Sequence, residues 1–133
     1  MTAVFLDTVG LLALWDSSDQ WHEAAEKSFG RIKSDGRPLL ATTHVLLETG
    51  NAAARRPYRL AVARLWASLE KAGGLLNPTA EDLTQAWAAY QRGDAESAGI
   101  VDHVSFVVMR RLGLVEAFTN DRHFRAAGFT PLF

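Results

Sequence analysis

Ala3-Val4-Phe5-Leu6-Asp7-Thr8 is a short apolar run that ends on a carboxylate. It shows no alternation of apolar and polar residues. Such a run reads as a strand buried on both faces, the usual state of a strand inside a parallel sheet. The helical stretch Val9 to Trp15 follows at once and supplies the crossover that a parallel neighbour needs. Asp7 then stands at the carboxyl end of its strand, the edge where open α/β sheets gather ligands.

The same alternation continues outward along the chain. A helix is expected from near Asp19 to about Ser34, closed by the turn pair Asp35-Gly36. Pro38 to Ala41 reads as a strand. Thr42 or Thr43 caps a helix from His44 to about Ala54, which Arg55-Arg56-Pro57 breaks. Helices follow at Tyr58–Lys71 and Ala80–Gln91, separated by the short strand Leu75-Leu76-Asn77. Arg92 to Gly99 is the longest polar loop, and a helix from Val101 to Leu112 comes after it. Glu116–Thr119 is a strand, Arg122–Ala127 a short helix, and Thr130–Leu132 an edge strand. This order predicts an α/β fold: a three-layer α/β/α sandwich around a mostly parallel sheet, in one domain over residues 1–133.

Composition narrows the chemistry. There is no cysteine, which excludes disulfides, thiolate metal sites and a cysteine nucleophile. No stretch approaches the roughly 20 apolar residues of a membrane span, and the N-terminus lacks the pattern of a secretory signal. A cytoplasmic protein with no membrane partner is expected. Of the fourteen cationic residues, eleven are arginine, whose forked guanidinium suits phosphate oxygens. The net charge of −1 becomes +3 once four acids are set aside as a site. A slightly acidic total therefore hides an acidic pocket in a mildly basic frame.

Those four acids are Asp7, Glu48, Asp102 and Asp121. Each has a plain structural explanation. Asp7 and Asp121 are placed to cap helices, and Asp102 lies where a helix dipole favours negative charge. Glu48 reads equally as a surface residue of a rotated helix, although Val45 and Ala52 share its face. What singles them out is a common address, at strand ends or on helices beside them. Asp94, in the polar loop, is a possible fifth member. Ser105 shares a helical face with Asp102 and is placed to hydrogen-bond to it or to a water on its metal. Arg55, Arg56 and Arg59 form either a solvated surface or a rim that touches phosphates. His103 and His123 read as flanking or RNA-facing residues, and His22 and His44 as structural. The four tryptophans lie in predicted helices and read as core.

Carboxylates forced together repel unless a cation neutralises them. Oxygen ligands without sulfur favour hard ions, Mg²⁺ or Mn²⁺. Such ions polarise a phosphodiester and lower the pKa of bound water. The implied reaction is metal-assisted phosphodiester hydrolysis.

Three stretches carry a resemblance. They are Val4-Phe5-Leu6-Asp7-Thr8, Thr43-His44-Val45-Leu46-Leu47-Glu48-Thr49, and the C-terminal third. That third contains Val101-Asp102-His103-Val104-Ser105-Phe106, Ala117-Phe118-Thr119-Asn120-Asp121-Arg122-His123-Phe124 and Ala127-Gly128-Phe129. The chain resembles the PIN-domain family, and within it the VapC-type toxins of bacterial type II toxin–antitoxin pairs. The resemblance spans nearly the whole chain and is thinnest over Asp16–Arg37. It implies a PIN-like sandwich, an Mg²⁺- or Mn²⁺-dependent endoribonuclease for single-stranded or looped RNA, and a homodimer. It also implies a cognate antitoxin that inserts a basic side chain into the acidic pocket. The acidic quartet maps to Asp7, Glu48, Asp102 and Asp121, as catalytic and metal-holding residues. Thr8 and Thr119, in the matching stretches, join Asp94 and Ser105 as secondary candidates, and Arg122 joins Arg55, Arg56 and Arg59 as RNA contacts. Relatives often carry Leu-Thr-Asp where this chain has Ile100-Val101-Asp102.

Other readings are a nuclease of RNA processing that is no toxin, and a non-catalytic domain that binds RNA or protein. The complete quartet argues against an inert binder. A receiver-type phosphoacceptor lacks its late lysine, since none follows Lys71. A haloacid-dehalogenase-like phosphatase lacks its second Asp, since position 9 is Val9.

Overall fold

The computed structural model describes residues 2–133. Five strands form one sheet: β1 (Val4–Leu6), β2 (Leu39–Thr42), β3 (Leu75–Leu76), β4 (Glu116–Phe118) and β5 (Thr130–Pro131). Their order is β3-β2-β1-β4-β5, and every pairing is parallel. The expected edge strand at 130–132 is thus parallel like the others. Each strand is followed by a helical crossover except the last. The helices are α1 (Thr8–Trp15), α2 (His22–Ser34), α3 (Thr43–Ala52), α4 (Arg59–Ala72), α5 (Ala80–Arg92), α7 (Ile100–Leu112) and α8 (Arg122–Ala126). Between α5 and α7 lies α6 (Asp94–Ser97), a single turn.

β1 is central because it has nothing polar to expose. Val4, Phe5 and Leu6 are all wholly buried. Phe5 pairs in register with Leu40 on one side and Ala117 on the other. From β1 the chain first builds outward through β2 and β3, then returns to build β4 and β5 on the opposite side. The reversal makes a topological switch point between β1 and β4, where strands diverge and open a crevice at their carboxyl ends.

Two packing features hold the helices that bear on this crevice. Gly10 of α1 lies against β4 so closely that a Cβ there would sit 2.0 Å from the Phe118 carbonyl oxygen. No side chain fits, and the obstacle is backbone. Gly10→Ala should therefore lower stability by about 2–3 kcal/mol, the upper part of the range for overpacking. Chemical denaturation measures this, and a change below 0.5 kcal/mol would show that α1 is free to shift. On the other side, Phe106 of α7 meets Phe124 of α8 edge to face at 4.9 Å and stacks on Phe129 at 5.6 Å. Phe106 and Phe124 are fully buried, each worth roughly 1.5–3 kcal/mol. They lock α7 and α8 together.

Element ends differ in detail from the sequence expectation. α2 begins at His22, because Asp16 and Asp19 turn the chain first by accepting backbone bonds from Ser18 and Trp21. Thr42, not Thr43, caps α3, accepting from the Val45 N–H at 3.0 Å. The polar loop is not irregular. After Gly93, residues Ala95, Glu96 and Ser97 take φ of 53°, 57° and 57°, a left-handed turn without glycine. Such residues cost on the order of 1–2 kcal/mol each, so their surroundings must hold them. Ser97 N–H donates to Gly93 O, Ala98 is buried, and Glu96 reaches Arg122 of α8 at 3.6 Å.

Candidate active site

Asp7 follows β1 and caps α1, its Oδ2 accepting from the Val9 N–H at 3.3 Å. It is 1% exposed. The same Oδ2 accepts from Thr119 Oγ1 at 2.8 Å, and Thr119 Oγ1 accepts in turn from the Asp121 N–H at 3.0 Å. Thr119 thus ties the end of β1 to the start of α8. Asp121 caps α8 through the His123 N–H at 2.9 Å, and its Oδ1 also lies 2.7 Å from His123 Nδ1. The capping explanation holds for both carboxylates, and Thr119 joins them at the carboxyl edge of the sheet.

Asp102 lies half-buried in the first turn of α7. One ligand atom from each of Asp102, Asp121 and His123 lies within 4.8 Å of the others. Glu48 comes from α3 and is exposed, as the surface reading of it held, yet its charge acts on both Asp7 and Asp102. It borders a groove of about 370 Å³ shared with His44, Leu47, Asn51 and Val101. Val101, where relatives often have threonine, thus gives this groove an apolar wall.

The electrostatics follow from burial and like charge. Asp7 is pushed up to about 8, first by burial and then by Asp102, with Asp121 and Glu48 adding to it and the Thr119 hydrogen bond opposing. Asp102 is pushed up to about 7 by burial, Asp121 and Glu48, while His123 opposes. Asp7 and Asp102 therefore retain protons near neutral pH when no cation is present, and the charges of Asp121 and Glu48 bear on both.

The remaining candidates divide. Thr119 is in the site, as described. Thr8 is buried behind it, 2.9 Å from Thr49 Oγ1, and joins α1 to α3. Ser105 does not meet Asp102: it is fully buried and donates to Val101 O at 3.1 Å. A helical Ser satisfies its hydroxyl on the preceding turn when its own face is packed. Asp94 stands apart from the quartet. Its carboxylate is held by Arg92 at 2.8 and 3.1 Å, and it acts on neither Asp7 nor Asp102. Asp94→Ala should lower activity less than about tenfold, against on the order of 10³-fold for Asp102→Ala. The reverse ranking in a cleavage assay would place the third acid at 94.

Arg56 pairs with Asp16 at 2.8 Å beyond the last turn of α1, at the opposite end of that helix from Asp7. Arg59 donates to Ala54 O at 2.9 Å, bracing the bend before α4. Arg55 is exposed beside them. Arg56 and Arg59 thus hold the chain around the α3–α4 bend, whereas Arg122 is exposed and next to Asp121. Sequence reasoning undervalued His123. Its two-residue spacing from Asp121 across a helix start was the available signal, because a capped first turn folds that side chain back over the cap.

A PIN domain family model matches residues 4–130 of the chain. The chain is similar to the 23S rRNA-specific endonuclease VapC20 of Mycobacterium tuberculosis, 35% identical over 131 residues and 97% of each protein. It is also similar to the crystal structure of Mycobacterium tuberculosis VapC20, described as a sarcin-ricin loop cleaving toxin. That similarity has a TM-score of 0.76 at 30% identity and covers 96% of each chain. The crystal structure of FitAcB from Neisseria gonorrhoeae shares the fold, with a TM-score of 0.62 at 19% identity over 98% of this chain and 96% of that one.

Proposed function

This chain belongs to the PIN domain family, and from that premise we propose that it is a divalent-metal-dependent endoribonuclease, the toxin of a toxin–antitoxin pair. The observation that carries the reading is the convergence of Asp7, Glu48, Asp102 and Asp121 on one crevice, where the carboxyl groups of Asp7 and Asp102 retain protons near neutral pH. The donor set fits a hard cation. It consists of carboxylate oxygens with one imidazole, and three ligand atoms lie within 4.8 Å of one another. Asp7, Asp102 and Asp121 would hold Mg²⁺ or Mn²⁺, with Glu48 at the rim. When bound, such an ion polarises a phosphodiester oxygen and makes a water nucleophilic near neutral pH.

The chain's own residues do the rest. Thr119 fixes the Asp7 carboxyl, so its oxygens enter the crevice in one orientation. His123, held at Asp121, opposes the upward push on the Asp102 carboxyl. Arg122, free of a buried partner, meets phosphates at the edge. The substrate class is looped ribosomal RNA, by extension from the relatives. We place the protein in the cytoplasm, as a homodimer with an antitoxin whose basic side chain enters the acidic pocket. No helix among the described residues is long and apolar enough to cross a membrane. Leu47 and Leu60, each 61% exposed, leave apolar surface for a protein partner.

The test is cleavage of a stem–loop RNA carrying the sarcin–ricin sequence by purified protein, with Mn²⁺ and with chelator. Endonucleolytic cuts confined to the metal-loaded reactions are expected. RNA left intact with both Mg²⁺ and Mn²⁺ would overturn the nuclease reading.

A further inference from the structure

A second pocket, lined by none of the four acids, lies between α5, α7, α8 and the left-handed turn α6. It encloses about 440 Å³. Its floor includes Phe106 and its walls include Arg92 and Arg110. His103 also lines it and is only 2% exposed. Its Nε2 has no hydrogen-bond partner among the described residues. A buried polar nitrogen left without a partner is costly, so the partner must enter from the pocket.

The lining selects the occupant. Ala88, Ala89 and Phe106 give it apolar surface, Gln85 and the unpartnered His103 Nε2 give it polar edges, and Arg110 stands at its side, while Arg92 is held by Asp94, which also lines the pocket. That combination suits a nucleobase: apolar surface to pack against and polar edges to hydrogen-bond. Position agrees with chemistry. Asp102 and His103 are consecutive in α7, so one faces the acids and the other this pocket. Beside it stand Trp87 and Tyr90, 51% and 46% exposed, edge to face at 5.3 Å. The Tyr90 ring lies 6.5 Å from that of His103. These two half-exposed aromatics, on another face of α5, offer a stacking surface for further unpaired bases.

We propose that this pocket receives an unpaired base of the RNA next to the cleaved phosphodiester, with His103 as a specificity-determining contact. The proposal rests on the ribonuclease reading and deepens it.

Two variants test it. Ala126→Trp fills the pocket from the exposed end of α8, and His103→Phe removes the polar edge while keeping a ring. With Mn²⁺ and the stem–loop RNA, each should raise KM about tenfold and leave kcat within about twofold. Ala126→Trp is at the surface and should fold even where His103→Phe does not. An unchanged KM in Ala126→Trp would overturn the proposal, whether water or a protein partner fills the pocket instead. If wild-type protein cleaves no RNA, the nuclease reading falls, and a separate measurement still decides the pocket. Adenosine, guanosine, cytidine and uridine, which carry no phosphate, are titrated into metal-free protein while the His103 ring resonances are followed. A shift with at least one nucleoside, lost in Ala126→Trp, supports the base pocket; no shift with any of the four overturns it.

Discussion

Asp7→Asn is expected to lower Mn²⁺-dependent RNA cleavage by on the order of 10³-fold while the protein keeps its fold. Asp7 is the most enclosed member of the quartet, and all three other acids act on it. Its charge, once the protons leave, is the one that solvent screens least. Asparagine keeps an oxygen in the same place. It can accept from Thr119 Oγ1 and the Val9 N–H as Asp7 does, and it caps a helix nearly as well. The substitution therefore removes a charge and little else. Circular dichroism should be unchanged while cleavage is lost. Activity within tenfold of wild type would remove Asp7 from the mechanism.

The second large effect is on stability, and its sign follows from linkage. The Asp7 carboxyl is pushed up to about 8, far above its ordinary value near 4. Between those values the folded protein holds a proton that the unfolded chain releases. Metal-free stability is therefore fully present below about pH 4, falls as pH rises, and levels off above about pH 8. Asp102, pushed up to about 7, falls in the same direction over a narrower window. Burial lowers the pKa of His103, which works the opposite way at the acidic end. The comparison that isolates Asp7 is wild type against Asp7→Asn in chelator. The variant should gain on the order of 3 kcal/mol relative to wild type between pH 5 and pH 8.5. For a chain of this size that is roughly 10 °C in melting temperature. Mn²⁺ should reverse the order. It replaces the protons, so it stabilises wild type more at pH 8 than at pH 5.5, and stabilises the variant little at either. A chelated wild type that tracks Asp7→Asn at every pH would mean that the acids do not share one site.

Much of this was legible in the chain itself. The unalternating runs at Val4–Leu6 and Ala117–Phe118 mark strands with both faces buried, and that property is local to a few residues. Helix starts at Asp7, Thr42, Thr79 and Asp121 could be read from side chains that satisfy unpaired N–H groups within one turn. The carboxylates at 7, 102 and 121 were readable for the same reason, since each occupies the first turn or cap of a helix that leaves a strand end or loop. Tertiary structure decided what these residues do together. The order β3-β2-β1-β4-β5 brings residues 7 and 121 to one crevice, although more than a hundred residues separate them. No local pattern encodes that, because strand order is set by how helices cover both faces of the sheet. Packing likewise turned Ser105 inward, left Asp94 to Arg92, and brought His123 back onto Asp121. The left-handed backbone at Ala95–Ser97 was beyond sequence reasoning altogether. Residues with a Cβ avoid that region by themselves, and here the Ser97 N–H bond to Gly93 O and the burial of Ala98 accompany it.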